Sequence, residues 1–252
     1  MTFLKRYTCY ATVVGLAAVT GAYAQITTVN SAVVTPRVFN DVPGAAFGAA
    51  NGYPNSIWLE EAGVSQATGY ANRDVWQFSN GGTTAYQFQN NDYFQASFDL
   101  TLAVNTLTVR REAGFLFSTA SSGDIQFIVD TDAHEVVQFG GISFYSFSAN
   151  NGITYNSRSS ISLAMAYFLD ASGNNALQFR ANGVSSPVYE FPAGTGIGNG
   201  STLGGYFQIV NDPTNPNNMG NAGFEDITLV PEPSVFALLS LGLLPLVFRR
   251  HR

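Results

Sequence analysis

Cysteine occurs once in this chain, at Cys9, and lysine once, at Lys5. Charged side chains make up only 11% of the 252 residues, and the formal net charge is −6. So few cations cannot neutralise a run of phosphates, which excludes a nucleic-acid partner. With 46% hydrophobic and 13% aromatic residues, the chain has more to bury than a disordered one. Long helical stripes and internal repeats are missing. So are the G-x-S-x-G, H-E-x-x-H and phosphate-loop patterns, and Ser/His/Asp catalysis gains no support.

The two ends differ from the rest. Lys5 and Arg6 precede an apolar stretch from Ala11 to Val19 and the small-x-small triplet Ala22-Tyr23-Ala24. This order predicts a signal peptide over residues 1–24, cut by signal peptidase between Ala24 and Gln25. Its apolar core is too short to cross roughly 30 Å of hydrocarbon. Cys9 leaves with it, so the exported chain has no thiol, disulfide or cysteine-held metal. At the other end, Pro231-Glu232-Pro233 precedes an apolar run from Val235 to Phe248 and then Arg249, Arg250, His251 and Arg252. The prolines keep that segment extended, and the arginines would stay on the cytoplasmic side of a membrane helix.

This three-part order resembles the PEP-CTERM sorting signal of Gram-negative bacteria that make exopolysaccharide. The resemblance implies that exosortase, a membrane transpeptidase, reads Pro231, Glu232 and Pro233. It also implies that the hydrophobic helix tethers the chain to the inner membrane before it passes to the cell surface or matrix. Residues 231–252 would then form a sorting segment with no chemistry of their own.

Between the ends, residues 25–230 carry six arginines, no lysine and sixteen acids, a formal charge of 6 − 16 = −10. Periodicity gives the fold class. Phe94, Ala96, Phe98, Leu100, Leu102 and Val104 alternate with mostly polar residues, and Ile161, Leu163, Met165, Tyr167 and Leu169 repeat the pattern. Period two puts one apolar face on each strand. Shorter strands are expected at 75–78, 85–88, 113–119, 125–130, 136–139, 143–148, 177–181, 187–191, 204–210 and 224–230. Asn80-Gly81-Gly82, Asn150-Asn151-Gly152 and Asn182-Gly183 supply turns between them. The expectation is an all-β, antiparallel β-sandwich forming one domain, with residues 25–74 adding an edge strand and loops.

The layout from Trp76 onward is similar to concanavalin A-like lectin and glucanase jelly rolls. The similar features are the long alternating strands, the hairpin from Asp170 to Asn174 and a closing strand at Phe224-Glu225-Asp226-Ile227. Glucanases of that group place three acids on one strand, the first as nucleophile and the last as acid/base. Asp130, Asp132 and Glu135 match the bulged spacing. They depart from the motif because Asp130 replaces a glutamate, and Thr131 and Ala133 replace bulky apolar residues. The competing reading of these acids is a hairpin tip.

Other candidates follow from residue type. Calcium suits hard oxygens, so Asp124, Asp130, Asp132, Glu225 and Asp226 are either its ligands or plain solvated acids. No other cofactor is implied. Tyr93, Tyr145 and Tyr155 lie beside turns, where an aromatic face can stack on sugar, and His134 is the one histidine of the body. The reading that results is an exported, non-catalytic protein associated with extracellular polysaccharide. Its alternatives are a structural coat protein contacting other proteins, and a polysaccharide hydrolase using Asp130 or Asp132 with Glu135. Deleting residues 231–252 should leave export intact and abolish retention at the envelope. Fractionation showing unchanged localisation would contradict the reading of the tail.

Overall fold

A computed structural model describes residues 26–39, 42–107 and 109–231. The predicted signal peptide, its cleavage point, Glu232, Pro233 and the terminal arginines lie outside the described residues. After a 3-10 turn at Ile26–Thr28 come β1 (Ser31–Phe39), β2 (Ala46–Gly52), β3 (Ser56–Ala62) and β4 (Ala71–Ser79). The middle of the chain supplies β5 (Phe94–Val104), β6 (Arg111–Thr119), β7 (Gly123–Asp130), β8 (Val136–Gly140), β9 (Tyr145–Ser146) and a short helix, α1 (Phe147–Asn151). There follow β10 (Ser160–Leu169), β11 (Asn175–Ala181), β12 (Val184–Ser185), β13 (Tyr189–Glu190), β14 (Thr202–Val210) and β15 (Met219–Pro231).

These strands form two antiparallel sheets. One runs β1-β4-β14-β6-β7-β8-β9; the other runs β12-β11-β10-β5-β15-β3-β2, with β13 also on β11. The all-β sandwich expected from the alternation is therefore present. β5 shows why: Phe94, Ala96, Phe98, Leu100, Leu102 and Val104 are buried, while every residue between them is partly exposed. Between the sheets, Trp76 meets Phe78, Phe98 and Phe224 edge-on at 5.3, 6.0 and 5.6 Å, and Phe98 lies 4.1 Å from Phe115. Aromatic pairs in such tilted and edge-on arrangements add to the free energy of plain area burial.

Three expected strands differ. Residues 85–88 form only isolated bridges, Ser79 with Ala85 and Phe88 with Ser201, because the segment crosses from one strand to another. Residues 143–148 break after Ser146, whose side chain accepts the Ala149 N–H and caps α1. Residues 187–191 keep only the two-residue β13, since Pro187 and Pro192 offer no N–H to a ladder. Residues 25–74 hold more than an edge strand and loops. β1 and β2 are edges, but β3 lies between β2 and β15.

The sequence of β3 conceals it, because Glu61 takes the inward position after Ile57 and Leu59. Glu61 is fully buried and is held by Arg37 Nε at 3.0 Å and Asn72 Nδ2 at 2.8 Å. An ion pair thus joins β1 and β4 of one sheet to β3 of the other.

The hairpin at Asp170 is as expected. Asp170 Oδ1 accepts N–H bonds from Ser172 and Asn174, both at 2.8 Å. Replacing Phe98 by alanine should lower the unfolding free energy by about 3–5 kcal/mol. Gln95→Ala on the opposite face of the same strand should stay within about 0.5 kcal/mol of the parent. Urea denaturation checks both.

Candidate functional site

The central strands of the seven-stranded sheet, β14, β6 and β7, are largely buried on both faces, although only one face packs on the other sheet. Register fixes what the outer face carries. One row across it reads Phe39, Arg73, Gln208, Glu112 and Asp130. The next reads Thr35, Val75, Tyr206, Gly114, Ile128 and Val137, and a third reads Val33, Gln77, Gly204, Leu116, Gln126 and Phe139. A polar row therefore borders an apolar patch of Val75, Leu116, Ile128, Val137 and Tyr206.

Glu112 is the hub of this face. Its Oε1 accepts from Tyr206 Oη and Gln208 Nε2, both at 3.1 Å, and its Oε2 accepts from Arg110 Nε at 2.6 Å. Tyr206 Oη also lies 2.9 Å from Gln126 Oε1. A phenol has one proton, so the Gln126 amide is turned to donate to it while Tyr206 donates to Glu112. Arg73 extends the chain, giving Nε to Gln208 Oε1 at 2.7 Å and stacking its guanidinium on Tyr206 and Phe39 at 5.2 and 5.0 Å. Burial pushes the Tyr206 hydroxyl well above its ordinary value of 10, and the Glu112 charge pushes the same way. The phenol therefore keeps its proton at any physiological pH.

Two buried glycines lie beside Tyr206 on this sheet. A Cβ on Gly114, directly opposite, would come 2.1 Å from the Phe127 carbonyl oxygen, and one on Gly204 would come 1.8 Å from that of Trp76. No side chain can be added at either place without moving backbone.

Asp130 faces Glu112 across β6 and β7. It is fully buried, Oδ1 accepting the Ala133 N–H at 2.9 Å and Oδ2 lying 3.6 Å from Arg110 Nη2. Burial raises its pKa above the ordinary 3.8, against the opposing pull of the Glu135 and Ala133 N–H groups and of Arg110. Arg110 touches both carboxyls, which confines them to one small region of the face.

The predicted acid triad is corrected by this geometry. β7 ends at Asp130, and residues 131–135 are the loop before β8, so Asp132 and Glu135 do not continue a strand face. Asp130 instead faces Glu112, which the reading along a single strand missed. The period-two phase of Arg111–Thr119, with Ala113, Phe115 and Phe117 inward, is the signal that would have found it.

The carboxylates named for calcium are scattered. Asp124 accepts from Ser118 Oγ at 2.7 Å on β7, whereas Glu225 and Asp226 sit at the bulge of β15 in the other sheet. Among the described residues no three acidic, histidine or cysteine side chains gather as a metal would need.

Of the aromatic candidates, Tyr155 is corrected outright. It is buried, and its hydroxyl accepts the Leu102 N–H at 2.6 Å and reaches the Ser159 carbonyl oxygen at 2.7 Å. That is a core tyrosine satisfied by backbone. Tyr93 bonds Asn175 Oδ1 at 3.0 Å, Tyr145 bonds Asn151 Oδ1 at 2.9 Å, and His134 Nδ1 meets the Tyr155 carbonyl oxygen at 2.9 Å. Each of these three is partly exposed; Tyr145 is tied within its own segment, and Tyr93 and His134 to residues distant in sequence.

No protein-family model and no curated protein matches the chain. Among solved structures it is similar in shape to the GH16 protein of a Bacteroides ovatus mixed-linkage glucan system, with TM-score 0.49, 11% identity, and 79% of this chain and 94% of that one covered. It is likewise similar to an alginate lyase from Corynebacterium sp., with TM-score 0.45, 12% identity, and 82% and 96% covered. A marine alginate lyase from Zobellia galactanivorans gives TM-score 0.45, 8% identity, and 77% and 83% covered. The neighbours are named as two alginate lyases and a GH16 protein and share the fold with this chain; the expectation of a non-catalytic body, and of a chain that is not an enzyme, is withdrawn. The outer face gathers two carboxyls, a phenol and two guanidiniums, of which only Asp130 was singled out from the sequence.

The raised pKa of Asp130 has a testable sign. A folded state that binds its proton more tightly than the unfolded chain loses stability as pH rises from 3.8 through the raised value. Asp130→Asn should flatten the stability curve in that window, as followed by thermal unfolding at stepped pH. An unchanged slope would contradict the assignment.

Proposed function

We propose that the chain is a polysaccharide hydrolase working on the outer face of the seven-stranded sheet, with Asp130 and Glu112 as its carboxyl pair. The observation that carries this reading is that the two acids face each other across β6 and β7 in different surroundings. Burial favours the protonated form of Asp130, which suits a general acid. Glu112 accepts from three side-chain donors, which fix the direction of its oxygens for attack on a sugar carbon or on water. Two carboxyl groups driven to different roles by their environments are the general requirement for glycoside cleavage.

Tyr206 and Gln208 are positioning residues in this scheme, acting through Glu112. Arg110 holds both carboxyls and, being more than a third exposed, can swing aside when a sugar ring enters. Phe139, partly exposed against the patch of Val75 and Leu116, offers the ring an apolar face. Localisation belongs to the same proposal. The leader exports the enzyme, and the Pro231-Glu232-Pro233 tail hands it to exosortase for the cell surface or matrix, where polysaccharide is the substrate at hand.

Glu112→Gln and Asp130→Asn should each reduce release of reducing ends by roughly 10²–10⁴-fold, the usual worth of a positioned acid or base. Mixed-linkage β-glucan and alginate are the substrates to assay. Tyr206→Phe should weaken catalysis less than either and should narrow the pH profile. Products ending in a conjugated double bond would overturn hydrolysis.

A further inference from the structure

The opposite sheet has its own outer face, and one residue on it is out of place. Trp58 on β3 is 36% exposed, whereas the second tryptophan of the chain, Trp76, is fully buried. Its row across the sheet reads Ala50, Trp58, Gly223, Thr101 and Ser160. The rows on either side hold Glu60 and Asn221, and Ser56, Glu225 and Asp99. The ring is therefore surrounded by small, hydroxyl, amide and carboxylate groups, with no other large apolar side chain in these three rows. A protein-binding hot spot usually sits in a well-packed, desolvated cluster, which a lone ring among small polar groups does not make.

The glycine beside Trp58 is not required by the fold. A Cβ on Gly223 would meet nothing closer than the Thr101 carbonyl oxygen at 4.0 Å, an ordinary contact. What glycine does there is leave the flank of the indole open. On the other side the ring leans over β2, where a Cβ on Gly48 would come 3.4 Å from Cζ3. A flat ring rimmed by hydrogen-bonding groups suits a ligand that is apolar on its ring face and polar at its edge. At about 4.8 Å per strand, the row from Ala50 to Ser160 spans roughly 19 Å, room for more than one sugar.

We infer that Trp58 is the platform of a second saccharide site, on the sheet opposite the carboxyl pair, which holds the polymer without cutting it. The inference rests on the reading of polysaccharide as substrate. Trp58→Ala removes the ring, and Gly223→Thr covers its flank with a residue that strands accommodate well.

The test uses the full chain on native gels cast with mixed-linkage β-glucan or with alginate. The parent should be retarded in at least one polymer. Both variants should bind that polymer about tenfold more weakly while cleaving short soluble oligosaccharides at the parent rate. Glu112→Gln should be retarded as the parent is, without activity. Loss of cleavage in the parent with Trp58-dependent retardation intact would remove the catalytic reading and leave this one standing. A parent that is not retarded in either gel overturns the proposal, as does retardation that both variants keep. A parent dimer that Trp58→Ala converts to monomer also overturns it, placing a second copy on the ring.

Discussion

Glu112 sits nearly buried on a sheet face that no second sheet covers, and every donor its carboxylate receives comes from that face. A charge so placed costs several kcal/mol unless it is hydrogen-bonded. The answer is a chain of side chains, Arg73 to Gln208 to Glu112 to Tyr206 to Gln126, closed from below by Arg110. Its members come from β4, β14, β6, β7 and the approach to β6, so the sandwich must have assembled before the cluster exists. Such a network holds its groups in one orientation, and that is what a site needs before it needs reactivity.

The rest of the fold works to keep that sheet in register. Trp76, Phe98, Phe115 and Phe224 lock the two sheets face to face, while Arg37, Glu61 and Asn72 tie them at one edge with buried charge. Gly114 and Gly204 are needed because neighbouring backbone approaches too closely for a Cβ. The two outer faces then divide the labour: one gathers titratable groups, and the other carries a single exposed indole among small polar residues.

Much of this was legible in the chain. Alternation in Phe94–Val104 and Ser160–Leu169 read directly as strands, since both have one buried face and one open face. β2 was hidden because Ala46-Phe47-Gly48-Ala49-Ala50-Asn51-Gly52 has too little apolar contrast to alternate, and β3 because Glu61 occupies a core position through an ion pair. Asp130 was picked out for the right chemical type and paired with the wrong acids. Its partner lies 18 positions away in sequence and one strand away in space (112 against 130). Cross-strand neighbours depend on register, which local pattern does not state. Tyr155, by contrast, looked like a surface ring beside a turn, and only the backbone groups around its hydroxyl show why it is buried.

The most direct test is a crystal of the Glu112→Gln chain soaked with a mixed-linkage glucan oligosaccharide and with an alginate oligosaccharide. A sugar ring should lie beside residue 112, with its glycosidic oxygen within hydrogen-bond reach of Asp130 once Arg110 has turned away. Sugar density confined to the opposite sheet, with Asp130 and residue 112 still closed beneath Arg110, would contradict it.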